Sequence, residues 1–163
     1  MKRLFFICPT DCLEVVINNA FDGDNYFVSS LGNSLSLDAS QLEEINALIE
    51  TEGIKEVHFV LSYDNRVLQD AFGEQEFSGI AELNRFYHEI ANQSMHSVLL
   101  WQTNSRRKAV LLSHLNTKAK ELHSKLNSWL SDTIRFGSKV YDRGNGCFCE
   151  VPNNSMNRRI RLN

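Results

Sequence analysis

Two segments of the chain run from apolar residues straight into side chains that can ligate, donate or carry charge. They are Phe5-Phe6-Ile7-Cys8-Pro9-Thr10-Asp11-Cys12 and His58-Phe59-Val60-Leu61-Ser62-Tyr63-Asp64-Asn65-Arg66. Thiol, carboxylate, hydroxyl and guanidinium groups are the material of metal sites, anion sites and reactive thiols. In an open α/β sheet the carboxyl ends of the strands are where ligands bind, and an arginine there, Arg66, offers a charge-assisted fork to a small anion. The competing reading pairs Arg66 with Asp11 or Asp64, which satisfies a partly buried charge without any ligand. A thiolate at Cys8 or Cys12 would be favoured beside Arg66, but no general base accompanies it in sequence.

The other groups with ligand chemistry form no convincing set. Cys8 and Cys12 are separated by three residues, and Cys147 and Cys149 by one; structural zinc knuckles favour two. Reduced, structural thiols are the expectation in a cytosolic protein. His58 lies inside an apolar run, and His88, His96, His114 and His123 lie on or beside helical segments without sharing a ligand face. Gly144-Asn145-Gly146 sits between two strand-like runs and reads as a turn, not a phosphate loop. No glycine follows the first apolar run, so a dinucleotide site is not supported.

The elements that position these residues are readable in outline. Leu4 to Cys8 is a buried strand, Leu13 to Ala20 a helix, Asp22 to Asn25 a turn and Tyr26 to Ser30 a second strand, closed by Gly32-Asn33. Asp38 is an N-cap and Gly53 a C-cap for a helix over Ala39 to Glu52, which carries Leu42, Ile45, Leu48 and Ile49 on one face. The strand Val57 to Leu61 follows at once, completing a right-handed βαβ unit with parallel strands. Helices are expected over Val67 to Phe72 and Gly79 to Asn92, while Met95 to Gln102 fits strand or helix. Val110, Leu111, Leu115, Ala119, Leu122, Leu126 and Leu130 predict one helix over Arg107 to Leu130. Ile134 to Tyr141 and Cys147 to Val151 form a closing hairpin at the sheet edge.

The chain has 163 residues, 42% of them apolar, enough for one domain with a real core. We expect residues 1–152 to form that single domain and 153–163 a basic tail. No run of about 18 apolar residues occurs, and the amino terminus meets Pro9 and Asp11 before a signal-peptide core develops, so a soluble cytoplasmic protein is expected. Residues 1–90 hold 16 acids and 5 bases, whereas 91–163 hold 4 acids and 12 bases. Such complementary halves predict charge-matched faces, within a monomer or across a homodimer. The basic half centres on Arg106-Arg107-Lys108 and Arg158-Arg159-Ile160-Arg161. Without aromatic–basic interleaving or a reader motif, nucleic acid is not the expected partner.

The order of these parts resembles the β-class carbonic anhydrases. In that family a strand ends in Cys-x-Asp-x-Arg, a second near Arg-Asn-x-Gly-Asn, and a third in Gly-His-x-x-Cys; a long helix and a Gly-x-x-Tyr-Asp hairpin close the chain. The corresponding segments are Cys8-Pro9-Thr10-Asp11-Cys12, Ser29-Ser30-Leu31-Gly32-Asn33, Ser62-Tyr63-Asp64-Asn65-Arg66 and Gly137-Ser138-Lys139-Val140-Tyr141-Asp142. The resemblance implies an α/β fold: a mostly parallel central sheet flanked by helices, with a C-terminal antiparallel edge hairpin. It also implies a homodimer.

Family chemistry needs two cysteines and a histidine to hold zinc, with an Asp–Arg pair gating the fourth position. Cys8 matches the first ligand, Thr10 stands where the Asp would be, and Cys12 where the Arg would be. One register places Tyr63 at the histidine and Arg66 at the second cysteine; a register shifted by one places Ser62 and Asn65 there. Neither restores the ligand set, so the resemblance implies a degenerate member with no zinc and no other cofactor. Its ancestral pocket, lined by Cys8, Thr10, Cys12, Gly32, Asn33, Ser62, Tyr63 and Arg66, is the candidate site for a small anion or nucleotide in an enzyme or sensor; a regulatory subunit that pairs with another protein through the basic half is the further alternative.

Overall fold

The computed structural model describes residues 1–96 and 103–152. Five strands form one sheet: β1 (Lys2–Ile7), β2 (Asp24–Ser29), β3 (Glu56–Ser62), β4 (Arg135–Asp142) and β5 (Cys147–Glu150). Their order is β2-β1-β3-β4-β5. The first three pairings are parallel, and the last, β4 with β5, is antiparallel. The α/β class, the parallel sheet and the edge hairpin all follow the sequence expectation.

The helices are α1 (Glu14–Ala20), α2 (Ala39–Glu52), α3 (Arg66–Phe72), α4 (Ala81–His96), α5 (Thr103–Lys125) and α6 (Ser128–Thr133). Parallel strands need crossovers, and crossovers cover both faces of the sheet, so the central strands are apolar on both sides. In β1, Leu4 and Phe6 face one core with Phe59, Ile49, Phe86 and Leu115. Phe5 and Ile7 face the other, with Leu13, Ile17 and Val60. Phe6 stacks on Phe59 with ring centroids 4.5 Å apart. Each such fully buried side chain contributes roughly 2–3 kcal/mol of burial free energy, which holds the ends of β1 and β3 side by side.

Several boundaries differ from expectation. The segment Asp22 to Asn25 is not wholly a turn: β2 already begins at Asp24, because Asp24 and Asn25 pair with Lys2 and Arg3 in the parallel ladder. The helix expected to run to Leu130 stops at Lys125, and Asn127, at φ −53° and ψ 137°, starts α6 instead. Asn competes poorly inside helices and well at their ends, which the apolar periodicity does not register. α2 spans Ala39–Glu52 as expected, with Asp38 accepting the Gln41 N–H and Gly53 left-handed at φ 65°. Of the ambiguous segment Met95 to Gln102, Met95 and His96 end α4, and 97–102 lie outside the described residues. The basic tail, 153–163, lies outside them too.

Candidate functional site

The site is built where β1 and β3 end. After β1 the chain makes a single tight turn, Pro9–Asp11, that carries Asp11 inward; its side chain is only 2% exposed. Asp11 faces β3. Its Oδ2 accepts the Ser62 N–H at 2.9 Å, and its Oδ1 accepts the Ser62 hydroxyl at 2.6 Å. A buried carboxylate needs such donors to offset the loss of water. A cation stands beside the carboxylate from the β4–β5 turn: Arg143 Nη2 donates to the Asp11 backbone carbonyl and lies 3.9 Å from Oδ1, while its Nε donates to Asp64 at 3.1 Å.

Asp11 and Asp64 therefore do pair with an arginine, but that arginine is Arg143. Arg66 is the first residue of α3, is exposed, and makes no ion pair among the described residues. From sequence, Gly144-Asn145-Gly146 reads as a turn and nothing marks Arg143 beside it. The turn is real, with the Asp142 carboxylate accepting the Gly144 and Asn145 N–H groups at 2.9 and 3.2 Å, and Arg143 projects from it.

A second turn, Leu31–Asn33 after β2, closes over Cys8. Gly32 adopts φ 60°, and a Cβ there would lie 2.9 Å from Phe86 Cζ, so the position requires glycine on both conformational and steric grounds. Its N–H donates to Cys8 Sγ at 3.2 Å, and its carbonyl accepts from His114 Nε2 at 2.8 Å. Asn33, also buried, donates from Nδ2 to the Val60 carbonyl at 3.1 Å. Cys8 Sγ lies 3.1 Å from Thr10 Oγ1. His114 is a site residue that the sequence did not single out. Burial pushes its imidazole down to about 4, so it is neutral here, with the proton on Nε2 and Nδ1 unpartnered.

The residues after β3 separate by burial. Ser62 and Asn65 are fully buried, Tyr63 is half-buried and Arg66 is exposed. Asn65 caps α3, accepting the Leu68 N–H at 2.9 Å. Cys8, Gly32, Asn33, Ser62 and Asn65 thus gather in the interior with Asp11. Tyr63 turns away from them, its ring 5.1 Å from the ammonium of Lys108 on α5. Thr10 and Cys12 are exposed, and Cys12 bonds only the Pro9 carbonyl, at 3.4 Å. Cys147 and Cys149 are free thiols on the edge strand β5.

The comparisons with known proteins fit this geometry. No protein-family model matches the chain, and no curated protein matches it in sequence. Solved structures do. A β-carbonic anhydrase of the fungal pathogen Aspergillus fumigatus superposes over 93% of this chain and 75% of its own, with TM-score 0.73 and 18% identity. The fold is that of the β-carbonic anhydrases. A tetrameric β-carbonic anhydrase of Sordaria macrospora superposes over 91% of this chain and 79% of its own, at TM-score 0.72 and 14% identity. The Coccomyxa β-carbonic anhydrase, solved with acetazolamide, covers 91% of this chain and 71% of its own, at TM-score 0.72 and 13% identity.

A carbonic-anhydrase fold implies zinc, and the residues at the strand ends do not fit it. At the buried positions that match the family's ligands, Cys8, Ser62 and Asn65 offer one thiol, one hydroxyl and one amide, where a zinc site needs thiolates and imidazole. Each donor is also committed: Cys8 Sγ to Gly32, Ser62 Oγ to Asp11 and Asn65 Oδ1 to Leu68. Among the described residues, no three His, Cys, Asp or Glu side chains group so as to hold a metal ion. No described helix is long and apolar enough to cross a membrane.

Proposed function

We infer that the chain is a carbonic-anhydrase-like protein that has exchanged the metal centre of its fold for a hydrogen-bonded tie, and that it acts by binding and not by hydrating carbon dioxide. One observation supports this above the others: the buried side chains at and just beyond the end of β3, Ser62 and Asn65, are consumed by Asp11 and by the start of α3. Metal-bound hydroxide is the nucleophile in zinc-dependent hydration, and a hydroxyl–carboxylate pair cannot supply one near neutral pH.

Anion binding is the second reading. It is supported by the cationic side chains that flank Tyr63, a residue of the sequence-proposed pocket that borders an open cleft. We further propose a homodimer in the cytoplasm. The uneven charge of the two halves and the tetrameric state of the Sordaria macrospora neighbour support association, and light scattering that finds only monomer at every concentration would contradict it.

The hydration reading is tested by stopped-flow carbon dioxide hydration with protein incubated in zinc. The expected rate equals that of buffer. A rate that scales with protein concentration and disappears in Cys8→Ser would overturn the proposal.

A further inference from the structure

We propose that the cleft between α3 and α5 binds an organic phosphate monoester whose ester group is a single ring or short apolar chain. The inference rests on the reading of the chain as a binding protein, and it concerns residues outside the buried strand-end cluster.

The cleft has a volume of 340 Å³. That is the lower end of the range for small-molecule sites, about 300–1,000 Å³, and suits one ring better than a dinucleotide. Its floor is apolar, formed by the buried side chains of Leu68 and Leu111, with Tyr63 and Phe72 as walls. Two consecutive cations of α5 stand at its rim. The Arg107 guanidinium lies 5.9 Å from the Phe72 ring centroid, and the Lys108 ammonium 5.1 Å from that of Tyr63. The aromatic rings hold both charges over the opening, by cation–π attraction.

Both cations are exposed, and neither is ion-paired among the described residues. Asp142 is close enough to feel the charge of Lys108. Its carboxylate, however, is taken up by Gly144 and Asn145 of its own turn. The rim therefore presents two positive charges without a direct ion pair among the described residues, one a planar fork and one a point charge, above an apolar floor.

A phosphate monoester matches that arrangement part by part. Near neutral pH it carries close to two negative charges; Arg107 can take two of its oxygens bidentately and Lys108 a third. The ester body covers Leu68 and Leu111. Inorganic phosphate leaves the floor bare, and a neutral aromatic leaves both cations unpaired.

The test is isothermal titration of the full chain at low salt, with phenyl phosphate as probe. Expected is saturable one-to-one binding, weakened about tenfold or more by Arg107→Met and by Lys108→Met, in line with the loss of a charge-assisted hydrogen bond. Lys120→Met, which removes an exposed cation of the same helix away from the cleft, should leave binding unchanged. Phenol and inorganic phosphate should each bind at least roughly tenfold more weakly than phenyl phosphate. Absence of saturable binding overturns the proposal. So does equal binding by inorganic phosphate, unchanged binding in both cleft variants, or equal loss in Lys120→Met. These outcomes are independent of hydration activity, so failure here is distinguishable from failure of the reading on which it rests.

Discussion

The carboxylate of Asp11 takes both the backbone amide and the hydroxyl of Ser62, at 2.9 and 2.6 Å. This single residue pair ties the carboxyl end of β1 to that of β3, the end of a parallel sheet at which ligands bind in open α/β folds. A carboxylate that already holds two donors, with Arg143 beside it, is a structural group. The predictions below follow from that tie and from the buried charges around it.

Asp11→Ala removes the acceptor for two Ser62 donors, while Arg143 keeps the backbone carbonyl at position 11 and Asp64. It should lower stability by about 3 kcal/mol, whereas Ser62→Ala, which keeps the amide bond, should cost about 1 kcal/mol. Guanidinium unfolding midpoints of the two variants decide it. Equal midpoints would contradict the tie.

Stability should fall between pH 6.5 and about 4, before the carboxylates titrate. Burial pushes His114 and His58 down to about 4, Lys139 adding to the effect at His58. The unfolded chain then binds more protons than the folded one across this window, so stability is full above pH 6.5 and lost as the pH drops. Carboxylates held low, such as Glu52 by the hydroxyl of Tyr26 and the ammonium of Lys2, begin to lose their contribution only below about 4.5. Urea midpoints at pH 7.5 and 5.0 should differ in the wild type and converge in a His58→Phe/His114→Gln variant. An unchanged pH difference would refute the assignment.

Lys118 is 2% exposed and pairs with Glu89 at 3.0 Å and Glu121 at 3.4 Å, joining α4 to α5. The carboxylates have other cations, Arg85 and Lys125; among the described residues the ammonium has only them. Glu89→Gln with Glu121→Gln should therefore cost more, about 3 kcal/mol, than Lys118→Met, about 1 kcal/mol, because only the former strands a buried charge. Thermal unfolding of both variants checks the order.

The buried register after β3 can be tested by rebuilding a ligand set. Ser62→His with Asn65→Cys adds an imidazole and a thiol at the buried positions and should raise zinc retention above wild type. Tyr63→His with Arg66→Cys places the same groups where the structure is half-buried and exposed, and should not. Metal content of the two variants after desalting separates the registers.

The fold was largely readable because its signals are local or periodic. Asp38 and Gly53 bound α2 by cap chemistry, and the apolar run Leu4 to Ile7 marks a strand covered on both faces. The limits of that reading are equally physical. Asn127 breaks a periodic helix through a backbone preference that periodicity does not carry. Asp11 and Ser62 are 51 residues apart, and Arg143 lies 132 residues from Asp11. Side-chain pairings over such distances leave no spacing to detect. His114 had the appearance of an ordinary helical residue, and only the folded chain brings its Nε2 to the Gly32 carbonyl. Two registers after β3 are both consistent with the letters; in the folded chain Ser62 and Asn65 are buried, Tyr63 half-buried and Arg66 exposed.

The central claim, that the strand ends hold a hydrogen-bonded tie in place of a metal, is tested most directly by elemental analysis of the wild-type protein incubated with zinc and then desalted. The account predicts no retained zinc. One zinc per chain, lost on Cys8→Ser, would contradict it.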